Sequence, residues 1–235
     1  MAAFSLKRAA EYARYNYTVQ SKNYMLNLLA MVAVPILFGV LSRSVATASG
    51  LSMFVYATAA IVFPVREVWL LRDRGSRTLA MTLPVSSAER WVTMVLNLAV
   101  LLPVAAIVCS IVAIAVVYPF DYLAVEMPFS VFFDTHIKEY LDWMQYVGIQ
   151  LFASASLLIA LLAHRRLVLA YVLAVAAVII FVFGVVDVVV EQEWYVNIEA
   201  NIEAVELVGK ILYCLLPVVF YVLSYVALKR RQVKW

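Results

Sequence analysis

Residues 86–89, Ser-Ser-Ala-Glu, are where residue type and spacing most clearly specify a defined hydrogen-bonding arrangement. A serine followed three residues later by glutamate forms a capping box. Ser86 accepts from the amide of Glu89, Glu89 reaches back to the amide of Ser86, and a helix starts sharply there. The segment leading into it, residues 66–90, reads REVWLLRDRGSRTLAMTLPVSSAER. Arg72, Arg74 and Arg77 suit an anionic lipid surface or an acidic partner. Between Arg77 and the stop at Pro84 lie Thr78, Leu79, Ala80, Met81, Thr82 and Leu83, which carry no charge. A short apolar ridge of that kind on the wet side of a membrane has the chemistry of a knob for a partner's groove.

Other reactive residue types do not assemble. The two histidines, His136 and His164, fall in segments expected on opposite sides of a bilayer. Cys109 and Cys214 sit in long apolar runs, without metal-ligand spacing. Ser110, Ser154 and Ser156 lie on apolar helices with no base at helical spacing, so they read as small residues that let helices approach. Glu67 and Asp187 stand at the ends of apolar runs and read as interfacial. A phosphate-cradling loop needs G-x-x-x-x-G-K-[ST], and Gly75-Ser76-Arg77-Thr78 lacks its first glycine and its ending. This composition points to no catalytic, cofactor-binding or metal site in the chain, and to no nucleic-acid partner.

The elements that must position the 66–90 segment follow from composition. Of 235 residues, 66% are hydrophobic and 14% charged, with a mean hydropathy of +0.95. A soluble domain is typically about 45–50% apolar and about 25% charged. Crossing about 30 Å of hydrocarbon takes roughly 20 apolar residues in a helix. Six stretches nearly free of charge qualify, at about 24–42, 47–65, 91–117, 143–163, 167–186 and 209–228. The sequence thus predicts an all-α integral membrane bundle, a single domain over 1–235 with six transmembrane helices. The third stretch exceeds what a crossing needs, so it is expected to tilt, bend near Pro103 or continue into the outer interface.

Basic residues set the orientation. With both termini cytoplasmic, 15 Lys and Arg lie inside and 3 outside, and net charge divides into +11 and −8. Residues 4–22 mix Phe4, Leu6, Tyr12, Tyr15 and Tyr17 with Lys7, Arg8, Arg14 and Lys22. The mixture predicts a helix in the inner headgroup layer, aromatics toward lipid and cations toward phosphate; a plain topology-setting segment is the alternative. On the other side, Phe129, Phe132, Phe133, Tyr140 and Trp143 alternate with charges in the manner of an aromatic belt. Near Trp194, the apolar Ile198, Ile202 and Val205 recur at helical spacing beside the acids Glu199, Glu203 and Glu206. This predicts an amphipathic helix at the outer face.

The run RGSRTLAMTLPVSSAERW, between the second and third of six spans, resembles the type-2 ATP-binding-cassette transporter permeases. More narrowly, Leu83-Pro84-Val85-Ser86-Ser87-Ala88-Glu89-Arg90 is similar to a Leu-Pro-x-Ser-x-x-Glu-[Arg/Lys] element of small bacterial members. The resemblance implies a half-transporter in the bacterial cytoplasmic (inner) membrane. It would pair with a second copy or a related permease, and dock cytoplasmic ATPase subunits that supply ATP and Mg chemistry. It further implies that Thr78–Leu83, flanked by Arg74 and Arg77 and followed by Pro84, Ser86 and Glu89, is the ATPase-coupling element. The helix of Trp194, Ile198, Glu199, Ile202, Glu203 and Glu206 would then close an outer gate. The competing expectation is a non-transporting assembly or regulatory subunit that anchors a cytoplasmic partner through the same loop. In neither case is the chain itself an enzyme.

Overall fold

The computed structural model describes residues 4–69, 85–121, 128–131, 134, 138, 142–163, 170–173 and 202–233. Every regular element among them is helical. Helix α1 (Leu6–Val19) turns at Gln20 into α2 (Ser21–Ser42), and α3 spans Val45–Trp69. Next come α4 (Ser87–Leu96), a π-helical turn (Asn97–Leu101), α5 (Leu102–Val117) and a 3-10 turn (Tyr118–Phe120), each continuing directly into the next. Helices α6 (Trp143–Leu162) and α7 (Ile202–Val233) complete the described elements.

Among the described residues, five helical stretches are long and apolar enough to cross a membrane: Ser21–Ser42, Val45–Val68, Ser87–Phe120, Trp143–Leu162 and Lys210–Arg230. The chain is therefore a multi-pass membrane protein. Its surface agrees, with Leu41, Phe54, Phe152 and Leu212 all exposed where a soluble fold would bury them. Of the expected fifth span, only residues 170–173 are described, and they are helical; the rest of 167–186 lies outside the described residues.

Between the helices, small residues permit close approach. A Cβ on Gly39 of α2 would stand 2.8 Å from both Ala48 Cβ of α3 and Val117 Cγ2 of α5. Val45, Ala48, Ile114 and Val117 pack into a cluster there. A larger core joins α3, α4, α5, α6 and α7 through Phe63, Met94, Cys109, Leu157, Leu161 and Leu228. At the α2–α3 turn, Arg43 takes the left-handed conformation (φ 50°) that ends α2. Beside it, Asp121 accepts from the amide of Val45 and caps α3.

Three expectations are refined. The third crossing helix runs through 34 residues, and α1 packs along its beginning. There α1 lies lengthwise on α4, pointing the same way, with Ser5 against Glu89, Ala9 against Thr93 and Tyr17 against Asn97. The irregularity falls at the π turn just ahead of Pro103. Second, α1 does not turn its tyrosines to lipid as a group. Tyr12 and Asn16 are buried against the bundle, because the hydrogen-bonding groups on this face find partners on α3, α4 and the π turn. Third, α7 starts at Ile202, so the backbone of residues 202–206 is continuous with the crossing helix rather than a separate outer element.

Candidate functional site

The described residues on either side of segment 70–84 each end in a buried carboxylate, and both carboxylates are held by α1. The capping box at Ser86–Glu89 forms as the sequence specifies. Ser86 Oγ accepts from the Glu89 amide at 3.3 Å, and Glu89 Oε2 accepts from the Ser86 amide at 2.7 Å. Glu89 is fully buried, since its other oxygen serves a second purpose. Oε1 accepts from the Ser5 amide (2.7 Å), Arg8 Nε (3.1 Å) and Arg8 Nη2 (2.8 Å). One acid thereby starts α4 and fastens the beginning of α1. A bond to a charged partner is stronger than a neutral one, and here the carboxylate is shielded from water while Arg8 is partly exposed.

The second carboxylate, Glu67, is the correction to the interfacial reading: it is 1% exposed. Three neutral donors replace water around it. Oε1 accepts from Tyr24 Oη (2.5 Å) and Asn97 Nδ2 (3.2 Å), and Oε2 accepts from Asn16 Nδ2 (2.5 Å). Tyr17 donates to Asn97 Oδ1 at 2.6 Å, which fixes that amide's orientation. Gln20 Nε2 donates to Asn16 Oδ1 at 3.4 Å, on the side of that amide away from Glu67 Oε2. Burial and the nearby Glu67 carboxyl push the Tyr17 phenol up to about 12, so it stays a donor. Burial pushes Tyr12 upward as well, and Arg90 lies over its ring at 5.7 Å from the centroid. A buried carboxylate tolerates its desolvation only with such a complete set of hydrogen bonds.

Asn97 leads directly from this cluster into the middle of the bundle, for it opens the π turn. There the amide of Leu102 bonds back to Asn97 O, one residue further than an α-helix would. The carbonyl of Leu98 thus loses its usual donor, and Pro103 has no N–H to offer. Gln150 Nε2 of α6 takes over Leu98 O at 3.2 Å, and Tyr146 Oη takes Ala99 O at 2.8 Å. Gln150 is in turn held by Tyr221 of α7 at 2.7 Å. Trp91 Nε1 ties α4 to Tyr221 O and Ser224 Oγ of α7, both at 3.0 Å. Backbone groups without water must be satisfied internally in a membrane, and here side chains from α6 do so.

Of the expected coupling residues, Ser86 and Glu89 are in place. Arg74, Arg77, Thr78, Leu79, Met81, Leu83 and Pro84 lie outside the described residues. Of the outer helix, Trp194, Ile198 and Glu199 also lie outside them, while Ile202, Glu203 and Glu206 contribute backbone to the first turns of α7. Ser156 donates to Ile61 O of α3 at 2.6 Å, in keeping with an interhelical role. Among the described residues no three of His, Cys, Asp and Glu come together as a metal site would require. Of the clustered residues, the sequence reads Glu67 as interfacial and gives Asn16, Asn97 and Gln150 no role. A signal for them exists: Ser5, Arg8, Tyr12, Asn16 and Gln20 recur every three or four residues, a hydrogen-bonding stripe along one face of α1. Comparison of the chain with protein-family models, curated proteins and solved structures returns no match.

Proposed function

We propose that this chain is the membrane-spanning subunit of an ATP-driven exporter. It works in the cytoplasmic membrane as one of a pair of permeases, and segment 70–84 receives the motion of separate ATPase subunits. The observation that carries this reading is the mounting of that segment. On one side is Glu67 with its three donors, on the other the Glu89 capping box with Arg8, and both are fastened to α1. A loop that only linked two spans would need neither buried acid. A loop that is pushed needs rigid flanks, so that displacement passes into α3 and α4 rather than into local bending. In this reading Thr78–Leu83 enters a groove on the ATPase, with Arg74 and Arg77 beside it. ATP and Mg belong to that partner.

The test is a double substitution, Leu79→Asp with Met81→Asp, in the purified complex. Burying two such side chains at an interface is worth roughly 1.5–3 kcal/mol each, and a desolvated carboxylate opposes docking further. Neither position falls in an apolar stretch that the sequence predicts to cross, so the amount of inserted protein stays near that of the parent. The expected result is loss of the co-purifying ATPase. An unchanged complement of ATPase that still couples hydrolysis to transport overturns the assignment of 78–83. Isolation of a stable complex without any ATPase favours the anchoring-subunit reading instead.

A further inference from the structure

The π turn stands between two polar clusters, and its geometry ties them together. Toward α1, Asn97 is bonded to Glu67 and Tyr17. Toward α6, Gln150 is bonded to the carbonyl that the π turn orphans. A π turn holds one residue more than an α turn in the same hydrogen-bonded ring. If that extra residue moves toward the start of α4, the amide of Leu102 returns to Leu98 O, and Gln150 loses its acceptor. The residues passed over rotate by about 100° and advance by about 1.5 Å, the per-residue twist and rise of the helix. That rotation carries Asn97 away from Glu67, and Thr93 and Glu89 away from Ala9 and Arg8. Ala99 O behaves differently: Pro103 has no N–H in either register, so its bond to Tyr146 is indifferent to the change.

We propose that the π turn at Asn97–Leu101 is a two-register switch, which links the grip of α1 on Glu67 and Glu89 to the Gln150–Leu98 bond in the middle of the bundle. The proposal concerns this chain alone and holds whichever protein docks on segment 70–84. Gln150 and Tyr221 set the register from one side, Asn97 and Glu67 from the other. Weakening the contact on either side shifts the population of the two registers at both.

A single cysteine at position 9 reports on this, since Ala9 is buried between α1 and α4. In a chain with Cys109→Ala and Cys214→Ala, purified in detergent or nanodiscs, alkylation of Ala9→Cys by a maleimide is slow. Gln150→Leu, on another helix, should speed it by roughly fivefold or more, the scale of losing one buried hydrogen bond. Ser110→Ala, on α5 but without a bond to the π turn, should leave the rate unchanged. Deleting Val100, an exposed residue inside the turn, removes the extra residue and leaves a plain α-helix with no second register; Pro103 then stands four residues after Leu98, so Leu98 O still has only Gln150 as donor. In that background Gln150→Leu should have no effect on the rate. If Gln150→Leu does not fold, Tyr221→Phe removes only the bond that orients Gln150, and the same comparison is made with it. Equal alkylation rates with and without the Gln150 or Tyr221 change overturn the switch. So does an acceleration that persists after Val100 is deleted, because the coupling then bypasses the turn.

Discussion

Replacing Glu67 by leucine measures what the buried carboxylate is worth. The change leaves three donors, Asn16 Nδ2, Tyr24 Oη and Asn97 Nδ2, facing an apolar side chain. Each buried donor without an acceptor costs about 1–3 kcal/mol. Against this, the leucine removes a carboxyl whose own burial is unfavourable, and apolar replacements of such buried groups are sometimes stabilising for that reason. Repacking of the amides also recovers part of the loss, so the net effect is about 2–4 kcal/mol of destabilisation rather than the full sum. At about 2–4 °C per kcal/mol for a chain of this size, the midpoint of thermal unfolding should fall by roughly 5–15 °C. Glu67→Gln keeps an acceptor oxygen but turns an NH2 toward a donor, and should lose about half as much. The assay is size-exclusion fluorescence after heating, on protein in one detergent. Asp134→Ala breaks an exposed pair with Lys138 and serves as a control with no measurable shift. A Glu67→Leu protein that melts at or above the parent refutes the view that this cluster holds α1 to the bundle.

Three further outcomes are expected. A Cβ at Gly148 would lie 2.4 Å from Tyr213 Oη, so Gly148→Ala should displace that ring and lower the melting midpoint, and Tyr213→Phe in the same chain should restore most of it. The Tyr17 phenol moves from 10.0 to about 12 on folding, so the stability it contributes is fully present below pH 10 and disappears between pH 10 and 12; Tyr17→Phe should flatten that part of a stability-against-pH curve recorded by circular dichroism. With the basic residues inside, single cysteines at positions 134 and 199 should react with an impermeant maleimide on intact cells, and those at 76 and 232 should react only after lysis. Labelling of position 76 from outside refutes that orientation.

How much of this was legible in the sequence differs by the kind of interaction. Apolar length alone marked the described crossing helices to within a few residues, because the hydrocarbon layer imposes that length whatever the neighbours are. The capping box was legible because both partners lie within four residues of each other. The Arg8–Glu89 and Asn16–Glu67 contacts join residues 81 and 51 positions apart, and no local pattern specifies such pairs. Glu67 follows Arg66 at the end of an apolar run, which is also how an interfacial acid looks; only the arrival of α1 makes it buried. Pro103 marked the irregular third helix correctly, but the π turn precedes it because Gln150 and Tyr146, on another helix, supply the missing donors.

The docking of α1 also sets an order of events during synthesis. Ser5 and Arg8 find their carboxylate 84 and 81 residues further along the chain. At about 5–20 residues per second, the ribosome delivers Glu89 roughly 4–17 s after Ser5. Until Glu67 is made the buried face of α1 lacks that partner, and until Glu89 is made its beginning stays unfastened. Helix α1 is thus seated only after α3 and the start of α4 have been made. A bulky group attached ahead of α1 would therefore act on this docking step and leave the insertion of α2 and α3 untouched.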